Sequence, residues 1–180
     1  MQAVVTSRAE LENDLREGLR QQQLLLHYQS QVDVHGKITG AEALVRWQSP
    51  ARGMVPPGIF IPVAESSDLI LALGEWVLRT AIRDVAKHLA HLPSDFDLHV
   101  NVSARQLIQS DFGHTLKQAL LASGLPPHNL TLELTESVLI EQTGQTVERL
   151  REIRALGVKI AIDDFGTGYS SLAYLGRLPF

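Results

Sequence analysis

KIAIDDFGTGYSSL, residues 159–172, runs a β-branched apolar segment into two adjacent carboxylates, Asp163 and Asp164, and then into a glycine-rich turn. Successive strand side chains point to opposite faces, so residues two apart share one. Lys159, Ala161 and Asp163 therefore oppose Ile160 and Ile162. The same split occurs twice upstream. His99, Asn101 and Ser103 oppose Val100 and Val102, and Thr131, Glu133 and Thr135 oppose Leu132 and Leu134. Like charges placed side by side repel, so the Asp163-Asp164 pair calls for a cation against it.

Helical patterns separate these three strands. One around Leu116 and Leu120 stops at Gly124 before Pro126-Pro127, and one through Val147, Leu150 and Ile153 ends at Gly157. Strands alternating with helices predict an α/β chain with a parallel sheet. A parallel sheet covered on both sides is apolar on both faces, so three strands with one polar face need another explanation. A barrel whose polar lumen opens at a functional mouth supplies it.

Toward the N-terminus, Ser7 and Glu10 have the spacing of a capping box, and Leu11, Leu15 and Leu19 give the following helix one apolar side. Residues 1–6 are expected to form a flexible N-terminus. LLLHYQSQV and KITGAEALVRW read as strands about a turn at His35-Gly36. PARGMVPPGIFIP, residues 50–62, is so rich in Pro and Gly that it reads as an ordered loop leading into helix. Ser67 is expected to cap a long amphipathic helix through Ile70, Leu73, Val77, Ala81, Val85 and Leu89.

Composition narrows the chemistry. At 180 residues and 44% hydrophobic content, the chain can build one substantial core. Its 16 basic and 20 acidic residues are interspersed, which excludes a polybasic surface for DNA, RNA or membranes. With no cysteine, any metal must take oxygen or nitrogen ligands. No run approaches the ~20 apolar residues of a membrane span and the N-terminus lacks the pattern of a secretory signal, so a cytoplasmic protein is expected.

Parity then selects the site. Glu42, Leu44 and Arg46 share a face, as do His27 and Gln29. Arranging the strands about one axis brings Glu42, Asn101, Glu133 and Asp163 together near strand ends. Three carboxylates and an amide oxygen suit Mg²⁺ or Mn²⁺, and Asp164 could hold or bridge a second ion. The competing reading is that each acid caps the helix after its strand. Four oxygen residues at four strand ends favour the site, because functional groups of parallel barrels gather there. Trp47 and Trp76 read as core, His88, His91, His114 and His128 as solvated, and His27 and His99 as buried, hydrogen-bonded histidines.

EALVRW (42–47), NVSARQ (101–106), LELTES (132–137) and DDFGTGYSSLAYL (163–175) together resemble the successive motifs of the EAL domain family, cyclic di-GMP phosphodiesterases with a modified TIM (β/α)8 barrel. The resemblance implies that Glu42, Asn101, Glu133 and Asp163 bind metal and that Asp164 serves a second ion. It also implies that Glu136 steadies the loop after Asp164 and that Gln29, Leu44 and Arg46 hold the dinucleotide. The implied reaction is hydrolysis of cyclic di-GMP to linear pGpG with two Mg²⁺ or Mn²⁺ ions, and a homodimer is expected by analogy with relatives, which often pair. A non-catalytic cyclic di-GMP receptor or a protein-interaction module is the alternative.

A complete barrel of this type takes roughly 250 residues, so residues 1–180 are expected to be a partial domain with the first five to six strands. The family's later lysine, glutamate and glutamine have no counterpart here. Ser30 stands where the family usually has proline, with little effect expected.

Overall fold

Ser7 starts the first helix as its spacing predicts, its Oγ accepting from Glu10 N–H at 3.2 Å while Glu10 Oε2 accepts from Ser7 N–H at 3.0 Å. Helix α1 (Arg8–Arg20) buries Leu11 and Leu15. The computed structural model describes residues 7–109, 111–135 and 144–163. After α1 come β1 (Leu24–Val32), β2 (Ile38–Ser49), β3 (Gly53–Val55), α2 (Pro57–Glu65), α3 (Leu69–His88) and β4 (Asp97–Val102). Then follow α4 (Ala104–Leu107), α5 (Phe112–Ser123), β5 (Leu130–Thr135), α6 (Gly144–Ala155) and β6 (Lys159–Asp163).

These six strands form one sheet in the order β1-β2-β4-β5-β6, with β3 paired to β2. β1 runs antiparallel to β2, whereas β2, β4, β5 and β6 are parallel. The hairpin follows from its turn. Asp33 Oδ1 accepts from the backbone N–H of His35 and Lys37 at 2.8 and 3.0 Å, and Gly36 takes φ +79°, a left-handed conformation open to glycine without penalty. β3 also runs antiparallel to β2 after a short turn, and at each parallel step helices carry the chain back, as parallel pairing requires.

Parity holds along the two central strands. Leu98, Val100, Val102, Leu130, Leu132 and Leu134 are all buried, and β4 packs on α3. The opposite side carries Asp97, His99 and Asn101 on β4 and Thr131, Glu133 and Thr135 on β5. Leucines and valines thus fix this side of the sheet against helices, leaving the other to polar chemistry. Helices α5 and α6 end as predicted, with Gly124 and Gly157 at φ +75° and +91°.

Two local expectations are corrected. The Pro- and Gly-rich segment is ordered into β3 and α2 rather than loop, because Pro57 sits in the first helical turn, where its missing N–H costs nothing. Pro62 lies inside that helix, and burial of Phe60, Val63 and Ala64 offsets the backbone bond it forgoes. Ser67 does not cap α3. The N-cap is Asp68, and the Ser67 hydroxyl instead donates to the carbonyls of Val63 and Ala64, closing α2.

Trp47 is fully buried and Trp76 packs on the core, as expected. His88, His91, His114 and His128 are exposed, also as expected. Among the described helices none is long and apolar enough to cross a membrane.

Candidate active site

Strand pairing, rather than sequence proximity, brings the candidate residues together. In the parallel register Glu42 lies beside His99, Asn101 beside Glu133, and Thr135 beside Asp163. Adjacent strands are about 4.8 Å apart, so side chains on the shared face reach one another. Asn101 Nδ2 donates to Glu42 Oε1 at 2.7 Å. Glu133 Oε1 takes the Nδ1–H of His99 at 2.7 Å.

Asn101 is followed at once by a rigid turn, which explains the shape of its motif. Ser103 and Gln106 form a second capping box, Ser103 Oγ accepting from Gln106 N–H and Gln106 Oε1 accepting from Ser103 N–H. The buried Gln106 amide lies so close to α3 that a Cβ at Gly74 would overlap it, so this contact requires glycine. Arg105 ties the same turn to the α2–α3 junction. Its Nη1 donates to the carbonyls of Glu65 and Ser67 at 2.6 and 2.8 Å, and its Nη2 reaches Asp68 Oδ1 at 2.7 Å.

A cavity of about 320 Å³ opens at these strand ends, bounded by Leu44 and Arg46 of β2, Asn101 of β4, Thr135 of β5 and Asp163 of β6, with α2 and α3 as its wall. Of the sequence-selected residues, four border it. Glu42 and Glu133 stand on the polar face but outside its lining. Exposed Gln29 lies directly opposite Glu42 across the hairpin. The Arg46 guanidinium folds onto its own backbone, donating to Val45 O at 2.9 Å. Glu136 and Asp164 lie outside the described residues.

The donor set fits a hard divalent cation in kind. Three carboxylates and an amide on consecutive parallel strands offer only oxygen once the Asn101 amide is turned, since half a rotation of its terminal torsion exchanges oxygen for nitrogen. Among the described residues, no three His, Cys, Asp or Glu side chains converge on one point, with Glu133 committed to His99 and Glu42 to Asn101.

Charge below the strand ends is tightly partnered. Asp97 accepts from Lys159 Nζ at 2.7 Å and from Thr131 Oγ1 at 2.9 Å, and its Oδ2 lies 3.6 Å from His99 Nε2. The hydrogen bond to Glu133 raises the pKa of His99 above its ordinary value and burial works against it, while nearby Asp97 adds to the rise. His99, its side chain 17% exposed, is thus the largely buried, hydrogen-bonded histidine expected. His27 is not: it is exposed, opposite Leu44, because β1 lies at the edge of the described sheet. Sequence reasoning placed His99, Thr131 and Lys159 on the polar face but passed over Asp97, although two-residue spacing from His99 was the available signal.

A family model described as the EAL domain matches residues 12–180. The chain is 43% identical over 180 residues to the bifunctional diguanylate cyclase/cyclic di-GMP phosphodiesterase MucR of Pseudomonas aeruginosa, covering 99% of this chain and 26% of that protein. It is 43% identical over 169 residues to the cyclic di-GMP phosphodiesterase PdeR of Escherichia coli, covering 94% and 25%. The chain therefore spans about a quarter of the length of these curated relatives. A solved structure of the P. aeruginosa MucR phosphodiesterase in complex with c-di-GMP superimposes with a TM-score of 0.88 at 44% identity, covering 94% of this chain and 69% of that one.

Proposed function

Since the chain belongs to the EAL domain family, we propose that it serves the hydrolysis of cyclic di-GMP to linear pGpG. The observation that carries this reading is the row of oxygen residues on the polar face of neighbouring parallel strands, beside the cavity at their C-terminal ends. Glu42, Asn101, Glu133 and Asp163 would hold a divalent cation, Mg²⁺ or Mn²⁺, and Asp164 would serve a second. Bound there, such ions lower the pKa of a water and offset negative charge on a phosphoryl group.

The chain's own residues supply binding and orientation. Arg46 borders the cavity with a guanidinium whose planar fork matches phosphate oxygens, and exchanging its bond to Val45 O for a phosphate would anchor the dinucleotide. Leu44 offers apolar contact to a base from the same strand face, and Gln29 an amide from the strand opposite. Asn101 is held in place by the Ser103–Gln106 turn, and α2 is fixed beside it through Arg105. Glu136 is assigned the steadying of the loop after Asp164. The cytoplasmic setting and the homodimer expected from the sequence belong to the same proposal.

A chromatographic assay of the full-length protein with cyclic di-GMP tests it. The expected result is pGpG in the presence of Mn²⁺ or Mg²⁺ and its loss on adding a chelator. Binding of cyclic di-GMP without any pGpG would assign the domain to receptors instead.

A further inference from the structure

A line of contacts runs along the polar face beneath the proposed ligands. Lys159 Nζ and Thr131 Oγ1 both donate to Asp97, at 2.7 and 2.9 Å. Asp97 Oδ2 faces His99 Nε2 at 3.6 Å, and His99 Nδ1 stands 2.7 Å from Glu133 Oε1. The three central side chains, Asp97, His99 and Glu133, are 20%, 17% and 14% exposed, so water screens these contacts little. An ionised carboxylate only accepts hydrogen bonds, so the proton between His99 and Glu133 belongs to the ring.

We infer that His99 is a positioning residue for Glu133. A glutamate has two carbon–carbon torsions along its stem and can turn its carboxylate widely. A ring N–H at 2.7 Å fixes Oε1 and leaves Oε2 as the oxygen available to an ion at the strand ends. The imidazole is fixed by its bond to Glu133, and the Asp97 carboxylate that Lys159 and Thr131 anchor lies 3.6 Å from its other nitrogen, beyond hydrogen-bond reach. Outer partners of this kind set the orientation of metal-binding carboxylates and raise affinity. The inference rests on the proposed divalent site, of which Glu133 is a member.

Calorimetric titration of the full-length protein with Mn²⁺ tests it, in the parent and in three variants. His99→Asn places an amide donor where Nδ1 stands and is expected to bind Mn²⁺ within a few-fold of the parent. His99→Leu removes the donor and is expected to weaken binding about 10- to 100-fold. His99→Gln places its donor at the Nε2 position and is expected to weaken binding similarly, which keeps the comparison available should the leucine variant not fold. A merely structural polar role would not separate Asn from Gln. Parent-like affinity in both His99→Leu and His99→Gln, or in His99→Gln where the leucine variant does not fold, overturns the inference while leaving the ion site standing. Failure of the parent to bind Mn²⁺ overturns the ion site and the inference together.

Discussion

Replacing Glu133 by glutamine is expected to reduce pGpG formation at least about 100-fold at saturating cyclic di-GMP while the folded state persists. Loss of even an outer partner of a metal-binding side chain costs about 10- to 100-fold in affinity or activity, and Glu133 is assigned to the ion itself. Glutamine keeps the volume and one acceptor for His99, so the change is confined to charge. Glu133 projects from β5 onto the polar face, whereas Leu132 and Leu134, which carry the packing of that strand, are at most 1% exposed and untouched. The thermal midpoint should therefore stay near that of the parent while turnover falls. Undiminished turnover would remove Glu133 from the site.

Trp47→Ala should produce the largest loss of stability, about 3–5 kcal/mol, against a total of about 5–15 kcal/mol for a domain. Trp47 is fully buried, meets Phe60 edge-to-face with ring centroids 5.8 Å apart, and donates Nε1–H to Gln23 at 3.3 Å. Alanine would leave a cavity between β2, α1 and α2. A Cβ at Gly18 would lie 2.7 Å from Trp47 Nε1, so α1 meets the indole with bare backbone at this point and has no side chain there to refill the space. Because β2 also carries Glu42, Leu44 and Arg46, this variant should lose activity through the fold. Denaturant unfolding measures the effect, and a change below about 1 kcal/mol would contradict this account of the core.

The modified TIM barrel class read from the sequence is that of the family, and its six described strands match the five to six expected. Parity worked on β4 and β5 because each is a short strand with unbroken alternation. It was weaker on β6, where Lys159, Ala161, Ile160 and Ile162 are all partly exposed at the edge of the described sheet. The region 50–62 departs from its loop expectation because the positions of its prolines, not their number, decide its structure. Pro57 lies where a helix tolerates it, and Pro62 is held by apolar burial that a local reading cannot weigh.

Within the site, strand assignment alone predicted which residues share a face, but not which of them touch. The pairings of Asn101 with Glu42 and of Glu133 with His99 depend on strand register, which alternation excludes from slipping by one residue but does not fix against a slip of two. Exposure of His27 depended likewise on β1 lying at an edge. The roles of Glu136 and Asp164 rest on the family resemblance, since both lie outside the described residues.

Anomalous diffraction from crystals of the protein grown with Mn²⁺ tests the central claim most directly. The account predicts a manganese peak at the strand ends with oxygens of Glu42, Asn101, Glu133 and Asp163 about 2 Å away. Manganese bound only elsewhere, with no oxygen of these four side chains on it, would contradict it.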